Sequence, residues 1–160
     1  MKKRQWINII FLLFIVIFNI QICNAQRIYY GNSTMYSNII VNVKNGNVYI
    51  GDSSMRSNII MNFHNGYLYE GDSNLSSDIL LTYSNGKIYN KRSTLTSNII
   101  YTYKNGKIYN GNSTLNSDIL YIYINDKLYK GNSTMESNVI LRTSSFVNPI
   151  ILIAIINLIY

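Results

Sequence analysis

The sequence predicts an all-β fold: six strand–link–strand hairpin repeats of twenty residues, closed into a ring, with a short apolar C-terminal helix as plug or lid. Three observations carry this reading. The stretch GNSTMYSNIIVNVKNGNVYI, residues 31–50, returns in register as GDSSMRSNIIMNFHNGYLYE, GDSNLSSDILLTYSNGKIYN, KRSTLTSNIIYTYKNGKIYN and GNSTLNSDILYIYINDKLYK. An Asn-Gly pair, or Asn125-Asp126 in the fifth copy, follows every β-branched and aromatic run. A half-repeat stands at each end of the array: Arg27-Ile28-Tyr29-Tyr30 before the first copy, and Asn138 to Thr143 in a sixth copy that never turns.

Three segments follow in chain order. Residues 1–25 read as a signal peptide: a basic start (Lys2, Lys3, Arg4), an apolar run from Trp6 to Ile22, and small residues before a cleavage site after Ala25. The run is close to spanning length, so an uncleaved anchor is the alternative reading. Residues 26–143 form the β-hairpin repeat domain, and residues 144–160 an apolar C-terminal segment. The single cysteine, Cys23, lies in the leader, so disulfides and thiolate metal sites are not expected in the mature chain.

With Gly31 as position 1, positions 9–13 are strands and Asn-Gly at 15–16 fixes a two-residue type I′ turn. That turn sets the register: Val43 faces Val48 and Asn42 faces Tyr49, and so on in each copy. Alternation then places positions 9, 11, 13 and 18 on one face, and positions 10 and 19 beside polar position 12 on the other. Between hairpins runs the link. Ser recurs at its positions 3 and 7, and Asn or Asp at position 8, to hold a non-helical loop. Position 5 is always Met or Leu (Met35, Met55, Leu75, Leu95, Leu115, Met135) and is expected to tuck each link onto the core. Lys91-Arg92 replaces Gly-Asn or Gly-Asp in the fourth copy, where a distorted link is expected. Closing the ring would pair the two half-repeats, with Thr143 opposite Ile28 and Leu141 opposite Tyr30, and remove both exposed edges.

Beyond Thr143, Asn148-Pro149 is a helix start, and Ile150 to Tyr160 is apolar nearly all round. A plug or lid on the β-array is the leading expectation, with membrane contact through Ile150–Tyr160 or a final strand as alternatives.

Composition narrows the function classes. Formal charge is +7, but after the leader eleven basic and seven acidic residues remain, scattered along the chain. That is not the blocked pattern of a nucleic-acid binder, so no nucleic-acid partner is expected. The lone His64 sits where other copies carry Lys44, Ser84, Lys104 and Ile124, which favours a strand-end residue over catalysis. The recurrent serines have no recurrent base beside them. Asp52, Asp72, Asp78 and Asp118 resemble calcium ligands, but Asn stands at most equivalent positions, which favours local turn bonding. No enzyme activity and no cofactor are expected. The Tyr column read as Tyr30, Tyr49, Tyr69, Tyr89, Tyr109 and Tyr129 is the candidate binding surface, for a glycan or another envelope component, with cross-strand packing the favoured alternative.

The repeat, read as S-[ND]-I-[IL]-Y-T-Y-x-N-G-K-I-Y-N-G-N-S-T from Arg27 to Thr143, resembles the bacterial four-fold β-flower domains. The resemblance implies an exported chain of hairpin repeats with an apolar C-terminal segment, and it brings no catalytic residues. The expected role is structural or adhesive at the cell envelope, with carbohydrate binding through the Tyr row as the second reading.

Overall fold

The computed structural model describes residues 25–160, so the predicted signal peptide lies outside the described residues apart from Ala25. Twelve strands form the body. They are β1 (Gln26–Tyr30), β2 (Ile39–Lys44), β3 (Asn47–Ile50), β4 (Ile59–His64), β5 (Tyr67–Glu70) and β6 (Ile79–Ser84). The second half comprises β7 (Lys87–Asn90), β8 (Ile99–Lys104), β9 (Lys107–Asn110), β10 (Ile119–Ile124), β11 (Lys127–Lys130) and β12 (Val139–Thr143). Helix α1 (Pro149–Ile159) ends the chain. Every strand is antiparallel to its neighbours in sequence, and β1 pairs with β12, so the sheet closes into a barrel. The closing register is the one the half-repeats imply: Ile28 faces Thr143 and Tyr30 faces Leu141. Closure leaves no sheet edge to pair with another chain.

The turns explain the hairpin register. Asn45 and Gly46 both have positive φ, 53° and 81°, as a type I′ turn requires. Asn125 and Asp126 reach the same region at 50° and 57°. Val43 therefore faces Val48 and Asn42 faces Tyr49, and the other copies follow. Each turn is also tied to the next hairpin, since Phe63 N donates to Gly46 O at 2.8 Å and Thr143 N to Asp126 O at 2.8 Å.

The link side differs from simple alternation. Val48 faces Met61 but Tyr49 faces Ile59, leaving Ile60 as an extra residue, and the same bulge recurs at every link. The bulge exchanges the two residues before it. Position 10 (Ile40, Ile60, Leu80, Ile100, Ile140) packs against the inner core, while position 9 joins positions 12 and 19 outside, as Ile119, Ile122 and Tyr109 show. This corrects the face assignment made from period two. The freed carbonyl of position 10 accepts the N–H of position 1 in all six copies, at 2.7–3.0 Å.

Lys91 confines the expected distortion of the fourth link to its start. It adopts φ +52°, close to the glycines at position 1, and keeps the bond from its N–H to Leu80 O at 3.0 Å. The fourth link thus keeps its anchor to the barrel, differs locally where Ser93 N donates to Lys91 O at 3.1 Å, and places the cost on Lys91 itself.

Helix α1 fills the barrel. Every residue from Pro149 to Ile156 is buried, on all sides of the helix, against Ile28, Val48, Leu68, Ile88, Ile108 and Leu128 of position 18. It is a plug, and the burial of Ile150–Ile156 removes them from any membrane contact. Among the described residues no helix is long and apolar enough to cross a membrane. The helix is led in at the turn end. Val147 N donates to Tyr123 Oη at 2.9 Å, Tyr123 Oη meets Thr143 Oγ1 at 3.0 Å, and Asn148 Oδ1 caps Ile150 N at 3.2 Å. It emerges at the link end, where Tyr160 lies beside Tyr121, Lys130 and Ile140.

Candidate functional site

The surface that repeats six times is the link, and its shape follows from the side chains at positions 3 and 8. Ser at position 3 accepts the N–H of position 5 through Oγ, from Met35 N→Ser33 Oγ at 3.0 Å to Met135 N→Ser133 Oγ at 3.4 Å. Position 8 then braces the same hydroxyl. Asn58 and Asn98 donate to Ser53 and Ser93 at 2.8 Å, whereas Ser73 and Ser113 donate to Asp78 and Asp118. A hydroxyl serves either partner, which is why Asn and Asp interchange there. Ser73 and Ser77 hold the Asp78 carboxyl below the ordinary aspartate range. Among the described residues no group of three or more His, Cys, Asp or Glu is placed to hold a metal.

Each link lies across the outer face of the barrel. Asn62 Nδ2 donates to Gly71 O at 3.1 Å and Ser73 O at 2.7 Å, and Thr82 and Thr102 donate to Lys91 O and Gly111 O at 2.7 Å. In the first four copies position 12 is therefore the peg on which the next link hangs. Neighbouring links also touch: Arg56 pairs with Asp72, and Arg92 Nη1 donates to Ser76 Oγ at 2.7 Å. Asn32 Nδ2 reaches Glu136 Oε2 at 2.6 Å, joining the first link to the sixth. Lys127, at 2.7 Å from Glu136, together with this contact, holds the Glu136 carboxyl below its usual range.

Two expectations about this surface are corrected. Position 5 does not tuck onto the core: Met35, Met55, Leu75, Leu95, Leu115 and Met135 are 63–68% exposed. The link meets the barrel through the backbone of positions 1 and 3, and position 5 faces outward. The Tyr column is the second. Its true first member is Tyr29, since Tyr29, Tyr49, Tyr69, Tyr89, Tyr109 and Tyr129 all lie at 6–9% exposure among positions 9 and 12. Tyr30 belongs to position 20, exposed at 55% like Ile50. Buried rings offer no face to a ligand, so the row packs the sheet. His64 is likewise built in, stacked on Tyr69 at 4.6 Å with Nδ1 2.9 Å from Asn62 Oδ1.

Two open recesses lie on the described surface. One of about 200 Å³ lies on the outer face between Tyr67, Arg92, Ser93 and Thr94. Another of about 210 Å³, at the plug's exit, is lined by Met61, Leu80, Leu81, Ala154, Asn157 and Leu158.

Charge is sorted by the topology. Positions 12–17, the half of each strand pair next to the turns, carry Arg27, Lys44, Lys87, Lys104, Lys107, Lys127 and Arg142 against Asp126 alone. The link half carries four cations (Arg56, Lys91, Arg92, Lys130) and six carboxylates (Asp52, Glu70, Asp72, Asp78, Asp118, Glu136). Read along the chain these charges look scattered. Summing them by repeat position instead of by segment exposes the partition.

No curated protein and no solved structure matches the chain significantly. A family match covers residues 28–156, from the first buried residue of β1 into the plug, and it is to the 6-fold beta flower proteins. The count of six agrees with the six strand–link–strand units and replaces the four-fold form of the resemblance. With twelve strands closed in one ring around its own C-terminal helix, this chain belongs to the 6-fold beta flower family.

Proposed function

We propose that the chain is an exported, non-enzymatic interaction protein with a structural or adhesive role at the cell envelope, working through its six links. The observation that carries this reading is the set of six Met or Leu side chains held outward at equivalent positions of one rigid ring. Exposing one such side chain is ordinary, but exposing the same one in all six copies is a pattern. Six weak, equivalent contacts suit a repetitive partner, because after the first contact each further one forms at high effective concentration. The recurrent Ser hydroxyls are occupied in shaping the links, which supports a non-catalytic role. Export rests on the basic, apolar and small-residue pattern of residues 1–25.

The test replaces all six position-5 residues with Ser and measures retention of the purified protein on isolated cell envelopes. Exposed side chains of this kind change stability by only about 0.5 kcal/mol each or less, so the fold is retained, which thermal melting checks. Loss of retention is expected; retention equal to the parent overturns the reading. N-terminal sequencing of material released by cells should begin at Gln26, and an intact Met1 would overturn cleavage.

A further inference from the structure

We propose that the turn end of the barrel is a docking face for an anionic phospholipid surface, an interaction separate from that of the links. The face is built from the sorted charges. Seven cations and one carboxylate occupy the turn half. Arg27, Lys87, Lys127 and Arg142 reach out to link residues, Arg142 Nη1 to Asn32 Oδ1 at 3.4 Å, which leaves Lys44, Lys104 and Lys107 to carry the face. Arg27 and Lys127 are partly neutralised by Asp52 and Glu136, at 2.6 and 2.7 Å. Lys44, Lys104 and Lys107 make no ion pair among the described residues, and Lys87 is bonded only to the neutral Thr102 and Asn112. Lys104 and Lys107 are also direct cross-strand partners. Like charges placed opposite one another weaken a hairpin, and an anionic surface converts that repulsion into attraction.

A further feature points to a membrane. Gln26, the first residue of the exported chain, lies at this same end, where its Nε2 donates to Phe146 O at 2.6 Å. Phe146 itself is an exposed aromatic ring on the loop that carries the plug inward, a residue suited to a headgroup boundary. A second copy stacked end to end is the weaker occupant. It would present link carboxylates that, Glu70 apart, are already held within their own chain: Asp52 by Arg27, Asp72 by Arg56, Asp78 by Ser73 and Ser77, Asp118 by Ser113 and Ser117, and Glu136 by Lys127. The acidic link half is repelled by the same surface, so docking orients the six links away from the membrane.

The experiment measures co-sedimentation of the protein, in the form cells export it, with phosphatidylcholine vesicles with and without phosphatidylglycerol. Each Lys near an anionic surface is worth about a fivefold gain in partitioning. The triple variant K44Q/K104Q/K107Q should therefore bind about a hundredfold more weakly. The link-half variant K91Q/R92Q should bind like the parent, and added salt should release the parent. Thermal melting verifies the fold, and the single variants K44Q and K104Q, both at exposed positions, give about fivefold losses should the triple variant be unstable. Binding that ignores phosphatidylglycerol, no binding, or an unaffected triple variant each overturns the proposal. So does tighter binding to single-stranded DNA than to the vesicles at equal salt, which would reveal a general polyanion site. Failure here leaves the envelope retention of the six-Ser variant untouched, so the two readings fall separately.

Discussion

Alanine substitution of the four turn glycines should produce a graded loss of stability set by one distance. Gly46, Gly66, Gly86 and Gly106 share nearly one conformation, with φ of 73–82°. A side chain in that left-handed region costs about 1–2 kcal/mol at any of them. What differs is the space beside each. A Cβ on Gly46 would lie 2.3 Å from Phe63 O, and one on Gly86 2.7 Å from Tyr103 O. On Gly66 and Gly106 the distance to Tyr83 O and Tyr123 O is 3.0 Å. The contact atom is backbone, pinned by the hydrogen bond from Phe63 N to Gly46 O, so relief at Gly46 must stretch that bond, worth about 1 kcal/mol. Gly46→Ala should thus lose about 2–3 kcal/mol and Gly106→Ala about 1–2 kcal/mol, with Gly86→Ala between. The fifth turn is a built-in reference, since Asp126 carries a side chain there and still accepts from Thr143 N at 2.8 Å. Urea unfolding of the four single variants, with equal slopes, measures the series. Four equal losses would show that dihedral preference alone sets the cost, and a smaller loss at Gly46 than at Gly106 would refute the packing between hairpins.

Lys91→Gly should raise stability by about 1 kcal/mol, because it relieves the only link whose first residue holds φ +52° with a side chain; an unchanged urea midpoint would contradict the strain. Asn42→Thr should be neutral or stabilising by up to about 1 kcal/mol, since Asn42 Oδ1 is buried without a partner while Thr82 and Thr102 serve the same peg with one hydroxyl. Leu152→Ala, at a fully buried plug position, should cost about 2–5 kcal/mol, and a loss below 1 kcal/mol in calorimetry would mean the plug is not packed as described. Burial pushes the Tyr83, Tyr103, Tyr121 and Tyr123 phenols up. The folded state thus prefers them protonated, so their contribution is full below the ordinary tyrosine pKa of about 10 and is lost as pH rises through the folded values. Absorbance titration should show delayed ionisation and unfolding only in that alkaline window.

Most of the architecture was legible because it rests on short-range chemistry. Asn-Gly at a fixed offset settles each hairpin register, and two unpaired half-repeats at opposite ends of one array imply closure. What escaped was whatever depends on one extra residue or on three-dimensional neighbours. The bulge at position 10 inserts a step that period-two reading cannot see, so Ile59 and Ile60 exchange faces. The pair Tyr29-Tyr30 offers two tyrosines for one column, and only pairing with Ile39 selects Tyr29. Met and Leu at position 5 look like core residues because they recur, yet recurrence in a link reports shared surroundings, and here those surroundings are solvent. Lys104 and Lys107 were visible, but the sorting of charge between the two ends requires the strands to be folded side by side.

The number of repeats and the plug are also bound to each other. Twelve strands at about 4.8 Å each give a circumference of about 58 Å, hence a radius of about 9 Å when upright and about 12 Å at a 40° tilt. A helix with its side chains has a radius of about 5–6 Å, and half the spacing between packed layers adds about 5 Å. A barrel radius of about 10–11 Å is therefore what an enclosed helix requires. Eight strands make a ring whose own side chains fill it, and twelve without a helix would enclose an apolar void lined by Val48, Leu68, Ile88, Ile108 and Leu128. Six repeats need a plug, and the eleven residues of α1, about 16 Å long, match strands of four to six residues. The apolar tail is thus the missing half of the core, and the all-round burial of Ile150 to Ile156 follows from the count of repeats.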